Sequence, residues 1–589
     1  MKKMTMKYLS CAFVALAAAA SPAGAADSST PDLLASPQTV PDILTSKQKQ
    51  LYTQVLTAIR GQRWADAKAL LDGADNGPLN DFLRAELLTA PNSPRAEVAD
   101  IMPILARSPQ LPQAEQLGRL AAKRGAADLP TLPFQNRLSW SGTAPRRVGA
   151  DSVGDPSAAG LARSIPDRIK NDDPAGAEAL YMAAADRLTP EARDEWRQKI
   201  AWSYYIENDD TNALRLARAC TEGRGAWATQ GAWVQALASW RLRDYPTALA
   251  AFDRVAREAP DSELRAAAYY WSARAAIAAG QPQSVQPRLR AAASNEETLY
   301  GLLAAETLGV ETASQRENVR PDRSAWRALE DLPNVRAAMA FTEIGEEGYA
   351  DALLRHQARI GNSDQHIQLV GMAQALSLPE TQLYLAHNTP QGRKLSAAAR
   401  YPQPKWEPNG GWRVDPALVF AHTLQESRFQ RKAVSPAGAM GLMQVRPGTA
   451  SDLARWNGDG RAPGDLKIPA VNMDFGQRYL EYLSKDGSTG GQLPKVIAAY
   501  NAGPAPIARW QTEIRDGGDP LLYIESIPYW ETRGYVGIVL RNYWMYEAQQ
   551  GKPSVSRAML AQGKWPRFPD TKDRTRLTYA GPAGLANAD

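Results

Sequence analysis

Between about residue 45 and residue 310 the apolar positions are mostly Ala and Leu, set among Arg and Glu and broken by short polar stretches. Strict apolar–polar alternation, the mark of a half-buried strand, is missing, so the pattern predicts helices. One stretch, "GAWVQALASWRLRDYPTALAAFDRVAREAP", carries Trp233, Leu237, Tyr245, Ala248, Phe252 and Pro260. It predicts two helices, with large residues on one facing small residues on the next. Fainter copies occur at 61–71, around Trp202 to Ala217 and at 345–354. Tyr269, Tyr270 and Trp271 open another helix about one repeat later.

The repeat resembles a tetratricopeptide unit. A single unit cannot bury its own apolar face, so a stacked α-superhelix is expected. Residues 127–165, richer in Pro, Gly and Ser, read as a long connection within this half. The polar run "VETASQRENVRPDR" (310–323) marks a boundary, and a smaller helical segment follows to about 400. The Pro-, Gly- and Trp-dense "YPQPKWEPNGGWRVDP" (401–416) then changes the texture. From 401 onward lie 7 of the 16 Trp and 10 of the 21 Tyr. That aromatic share suits a surface that stacks on sugars, and equally suits core filling.

Composition narrows the class. With 44% hydrophobic and 22% charged residues, the 589-residue chain reads as multidomain and globular. The first 25 residues combine Lys2, Lys3 and Lys7, the apolar "YLSCAFVALAAAA" and a small-residue Ala23-Gly24-Ala25 site, the pattern of a secretory signal peptide. Its apolar core is too short to span a membrane, which takes about 20 residues. Removing those three lysines from the 68 basic residues leaves 65 against 63 acidic ones, too even a balance for a nucleic-acid binder. Export would leave Cys220 as the only cysteine, without an internal disulfide. The four His show no metal spacing, no cofactor is expected, and no membrane span is predicted.

One carboxylate stands out. Asp415-Pro416 is a strong helix start, with an acidic N-cap and Pro at the first helical position. The helix would run "ALVFAHTLQE", placing Val419, His422 and Glu426 on one stripe. "GLMQ" (441–444) follows, after a Gly-containing turn. A Glu at a helix end is ordinarily solvated or capping. Held against Leu442 and Met443, with Gly438 and Gly441 allowing close approach, it would instead be a desolvated acid whose protonated form is favoured.

Residues 401–550 closely resemble the catalytic domain of soluble lytic transglycosylases, which cut bacterial peptidoglycan. Four motifs match in order: "ES" (426–427) with "SPAGAMGLMQVRPGTA" (435–450), "NMDFGQRYL" (472–480), "AAYNAGP" (498–504) and "YIESIPYWETRGYV" (523–536). The resemblance extends to "LYGLLAAETLG" (299–309) in the helical half. It implies an all-α protein with a signal peptide (1–25), an N-terminal α-superhelix (26–310), a helical linker domain (311–400) and a lysozyme-like catalytic domain (401–589). The implied reaction cleaves the β-1,4 bond between N-acetylmuramic acid and N-acetylglucosamine, leaving a 1,6-anhydromuramic end.

Ordinary glycosidases use two carboxylates, about 5–5.5 Å or 6.5–9.5 Å apart. Here one Glu dominates the motifs, although Asp452 follows the GLMQ segment and Glu525 and Glu531 lie in the last motif, so that each is a candidate to border the cleft. The resemblance assigns Glu426 as general acid and base. It implies that Ser427 orients around it, Met443 and Gln444 line sugar subsites, Tyr500 and Asn501 contact substrate or steady Glu426, and Glu525 and Tyr529 border the cleft's far side. Arg446 departs from the family pattern, which has Met before the proline. His422 has no assigned role. The implied partner is the peptidoglycan strand, with envelope proteins as further partners of the helical repeats, and the implied compartment is the periplasm. Two alternatives remain: a goose-lysozyme-like hydrolase using water as acceptor, and a non-catalytic scaffold that only binds glycan.

Overall fold

The computed structural model describes residues 40–311, 327–456 and 464–569; the predicted signal peptide and most of the 310–323 boundary lie outside the described residues. The expected all-α fold is present. Two short strands, Leu138–Trp140 and Asn388–Pro390, pair antiparallel with Ser139 opposite Thr389.

Local chemistry sets many of the helix ends. Asp173, Thr189, Asp209, Asp244, Asp261 and Thr298 each accept a backbone N–H from the first turn of the helix that follows, satisfying donors that the helix itself cannot. The repeat read from the sequence folds as Ala226–Arg241, Tyr245–Glu258 and Ser262–Ala278. Trp233 meets Phe252 edge-on at 5.3 Å, and Phe252 stacks on Trp271 at 5.9 Å. Ala248, Ala266, Ala267 and Ala268 are fully buried. Small residues let neighbouring backbones approach, and the aromatic rings fill the space between layers.

Core membership does not follow chain order. Helices within 44–121 share one apolar cluster with residues 329–395. There Phe82 packs on Phe341 and Tyr349, and Arg60 pairs with Glu346. A second cluster joins residues 158–304 to 414–560. The chain therefore closes on itself, and the C-terminal helices share a core with the middle of the superhelical half.

Polar contacts cross the same boundary. Arg274 pairs with Asp519, Arg557 with Glu306, and the Tyr205 and Ser526 hydroxyls share a hydrogen bond at 2.8 Å. Helix Trp530–Gln549 has apolar residues all round because it is enclosed between helix Pro416–Ser427 and the superhelical half. No helix among the described residues is long and apolar enough to cross a membrane.

Candidate active site

Helix Pro416–Ser427 begins as its sequence predicts, with Asp415 accepting the Ala417 N–H at 3.0 Å. It stops at Arg428 and Phe429, two consecutive non-glycine residues in the left-handed region (φ 52° and 65°). Such backbone costs energy and persists only where packing enforces it; here Phe429 is fully buried. The reversal sends the chain back over the helix end as a small hairpin, in which Met440 bridges to both Val434 and Val445.

Asn472 secures that hairpin. Its amide accepts the Met443 N–H at 2.7 Å and donates to the Met440 and Leu466 carbonyls at 2.8 and 2.7 Å. Gly441, at φ 72°, leaves no room for a side chain, since a Cβ would strike Leu466 and Asn472. Met443 lies fully buried against Gly476, where a Cβ would collide with its sulfur. Gln444 is itself left-handed (φ 49°), and its amide donates to the Gly441 and Ala433 carbonyls. The Tyr500 hydroxyl closes the far side by donating to the Met443 carbonyl at 2.8 Å.

Glu426 lies close enough to Tyr500 for its charge to act on that hydroxyl. Tyr535, on helix Trp530–Gln549, donates its hydroxyl to Glu426 Oε1 at 2.6 Å. Burial pushes the Glu426 carboxyl up to about 7; the Tyr535 hydrogen bond opposes that rise, and the charge of Glu531 adds to it. His422, one turn earlier, donates from Nδ1 to the Leu418 carbonyl at 2.9 Å, which assigns the tautomer. Burial holds its pKa down to about 4. The imidazole is thus a neutral wall, 4.8 Å from the Tyr500 ring and 6.1 Å from that of Tyr535.

The remaining expected residues scatter. Ser427 is buried, and its hydroxyl donates to the Thr423 carbonyl of its own helix at 3.3 Å. Asn501 accepts the Thr532 hydroxyl at 2.6 Å, tying the third motif to the fourth. Glu525 is enclosed between the superhelical and C-terminal halves, receiving both Arg147 Nη groups at 2.6 and 2.7 Å and the Tyr300 hydroxyl at 2.7 Å. Tyr529 is 46% exposed, edge-on to Trp510, with Arg509 at 3.4 Å from its hydroxyl. Arg446 is exposed.

Of the other acids weighed, Asp452 pairs with Arg455 at the surface, and Glu531 is exposed. A cavity of about 420 Å³ adjoins the site, lined by Gln425, Tyr535, Glu531, Trp530, Glu525 and Arg147 among others.

Three residues that build this site carried no role in the sequence reading: Tyr535, Asn472 and Arg147. The first two stand inside quoted motifs, as "RGYV" and "NMDFG", and that position was the available signal. Arg147 lies in the Pro- and Gly-rich connection and had none.

Residues 407–520 match the family described as Transglycosylase SLT domain. Glu426 lies within the matched region. The chain is 35% identical over 156 residues to the soluble lytic murein transglycosylase of Salmonella typhimurium, covering 26% of this chain and 23% of that protein. It is 36% identical over 151 residues to the Escherichia coli K12 protein of the same name, covering 25% and 23%. The alignments thus span about a quarter of those relatives' length.

Likeness of fold runs further than likeness of sequence. An inactive mutant of the lytic transglycosylase Slt from Pseudomonas aeruginosa superposes with a TM-score of 0.52 at 20% identity, covering 89% of each chain. The 70 kDa soluble lytic transglycosylase of Escherichia coli gives 0.52 at 18%, covering 89% of this chain and 99% of that one. Nearly the whole architecture around the SLT domain is therefore shared.

Proposed function

We propose that this chain is a lytic transglycosylase of peptidoglycan, with Glu426 as its single general acid and base. The observation that carries the reading is a half-buried carboxyl that Tyr535 holds through one oxygen at 2.6 Å, in surroundings that push its pKa up to about 7. A carboxyl in that state keeps its proton near neutral pH and can both give it and take it back.

That geometry supports the following reaction. Tyr535 occupies Oε1, so the proton sits on Oε2 and passes to the glycosidic oxygen as the bond from muramic acid C1 breaks. N-acetylglucosamine leaves with the proton. The muramic acid C6 hydroxyl then attacks C1, forming the 1,6-anhydro bond, and returns its proton to Glu426. Charge develops on Glu426 only between the two steps, when the Tyr535 hydroxyl stabilises it most. The cationic centre at C1 is stabilised in turn by the substrate's own acetamido group.

Hydrolysis would need a second base to activate water on the other face of the sugar. Asp452 is paired at the surface and Glu525 is consumed by Arg147 and Tyr300, which leaves Glu531, on the cavity wall, as the acid of the three that a hydrolytic route would have to use. Substrate strands lie in the periplasm, where the export leader would deliver the enzyme.

The test is mass spectrometry of fragments released from purified sacculi by the mature protein and by Glu426→Gln. Anhydro ends from the first and none from the second are expected. Reducing ends would establish a hydrolase, and binding without release by both proteins would establish a scaffold.

A further inference from the structure

The turn that ends helix Pro416–Ser427 is held from two directions. On one side Phe429 is buried, its ring 6.1 Å from that of Phe420 and 6.2 Å from that of Trp406. On the other, Arg431 pairs through Nη1 with Glu347 Oε2, their side chains 24% and 32% exposed. Glu347 opens helix Glu347–Ile360, whose Tyr349 packs on Phe82 and Phe341 in the apolar cluster of residues 44–121 and 329–395. Helix Pro416–Ser427 belongs to the other cluster. The ion pair thus ties the end of the Glu426 helix to a core that this helix does not share.

Arg431 faces more than one acid. Glu347, Asp351 and Glu380 line a small gap together with Arg431 and Trp406. Burial pushes the Asp351 and Glu380 carboxyls up, and the Arg431 charge opposes that rise at both. Between Glu426 and Arg431 the chain has little slack. Arg428 and Phe429 are left-handed, the Gln430 N–H donates to the Ser427 carbonyl at 3.1 Å, and the Ala433 N–H to that of Gln430 at 3.2 Å. The Ala433 carbonyl in turn accepts the Gly441 N–H at 2.9 Å and the Gln444 amide at 3.3 Å. A shift at Arg431 is therefore passed to the helix end and to the GLMQ hairpin together.

We propose that Arg431 is a positioning residue for Glu426: gripped by Glu347, it fixes the helix end so that the carboxyl meets the Tyr535 hydroxyl. Two consecutive left-handed residues persist only where the surroundings enforce them. Phe429 supplies that enforcement from inside its own core, and the Arg431–Glu347 pair supplies it from outside. This rests on the lytic transglycosylase reading for the reaction that is served, while the position itself is measurable without turnover.

The experiment follows the Glu426 carboxyl by NMR in the full chain, with the Glu side-chain carboxyl carbons isotopically labelled and the signal identified by its loss in Glu426→Gln. The titratable groups around it, Tyr535, Glu531, Tyr500 and His422, are left as they are. Arg431→Met and Glu347→Gln remove charges of opposite sign. Direct electrostatics would raise the Glu426 pKa in the first and lower it in the second. Loss of position weakens the Tyr535 hydrogen bond in both, so both are expected to raise it by about half a unit. Arg431→Lys keeps the charge opposite Glu347 and is expected to restore most of the original value. In a Tyr535→Phe background neither substitution should raise it further.

Shifts of opposite sign, a shift from only one substitution, or none overturns the positioning role, as does a further rise in the Tyr535→Phe background. Release of fragments from sacculi is followed in the same variants, where kcat is expected to fall about threefold with KM unchanged. An unchanged kcat in an active protein also overturns it. If the unsubstituted protein releases nothing while both substitutions still raise the pKa, the enzymatic reading falls and the positioning of Glu426 stands.

Discussion

The hydroxyl of Tyr535 donates to Glu426 Oε1 at 2.6 Å across 109 residues of chain. In the proposed mechanism it is the contact that tunes Glu426 as an acid. It stabilises the anion, and so limits how far burial can raise the pKa. Tyr535→Phe removes that stabilisation and leaves the ring's packing in place. The basic limb of the pH–rate profile is expected to move up by about one unit, with kcat on sacculi falling by about tenfold or more. An unmoved profile would remove Tyr535 from the mechanism.

The acid also imposes a pH limit on the wild-type protein. Protonation is required for the first step, so kcat/KM is expected to fall as pH rises through about 7. Stability follows the same sign. The folded pKa lies above the unfolded value of roughly 4.3, so stability is intact below that value and is lost as pH rises through 7. Glu426→Gln should therefore stabilise the fold by on the order of 3 kcal/mol at pH 8 and by little at pH 4. Urea unfolding of both proteins at the two pH values checks it.

His422 has the opposite slope. Its folded pKa, near 4, lies below the unfolded value of about 6.5, so the unfolded chain binds the extra proton between those limits. Stability contributed by the neutral imidazole is present above pH 6.5 and lost on acidification towards 4, on the order of 3 kcal/mol. His422→Met should flatten this acid limb while leaving the activity profile above pH 7 in place. Thermal melts from pH 4 to 7 read the difference.

Arg147 and Glu525 form a buried pair between the two halves, their side chains 14% and 2% exposed. Removing one partner leaves a buried charge unmatched, because Tyr300 supplies only one hydrogen bond. Arg147→Ala is expected to cost about 3–5 kcal/mol in urea unfolding, and Glu525→Gln with Arg147→Met distinctly less than that. If the single and double changes cost the same, the pair is not what couples the halves.

The helical half was legible because its signals are local. Caps at Asp244 and Asp261, the Trp233 and Phe252 pattern, and the Asp415-Pro416 start each act within a few residues, where sequence spacing and spatial spacing coincide. The place of Glu426 at a helix end was legible too, since its helix and the GLMQ hairpin are neighbours in the chain. The closure of residues 44–121 onto 329–395 was not, because the apolar faces that meet there are separated by some 200 residues, and many pairings of such faces satisfy the same pattern.

By itself, then, the sequence determined that the protein is helical, where its helices begin, and which carboxylate stands at the end of a helix beside an apolar turn. Only the tertiary structure decided what that carboxylate is. Asp452, Glu525 and Glu531 are equivalent as letters, yet one is paired at the surface, one is consumed by Arg147 and Tyr300, and one stands on the cavity wall with its charge acting on Glu426. The reason is physical: a carboxyl's proton affinity depends on the water, charges and donors around it in three dimensions. For Glu426 the decisive donor, Tyr535, arrives from a distant helix that packing alone brings into place.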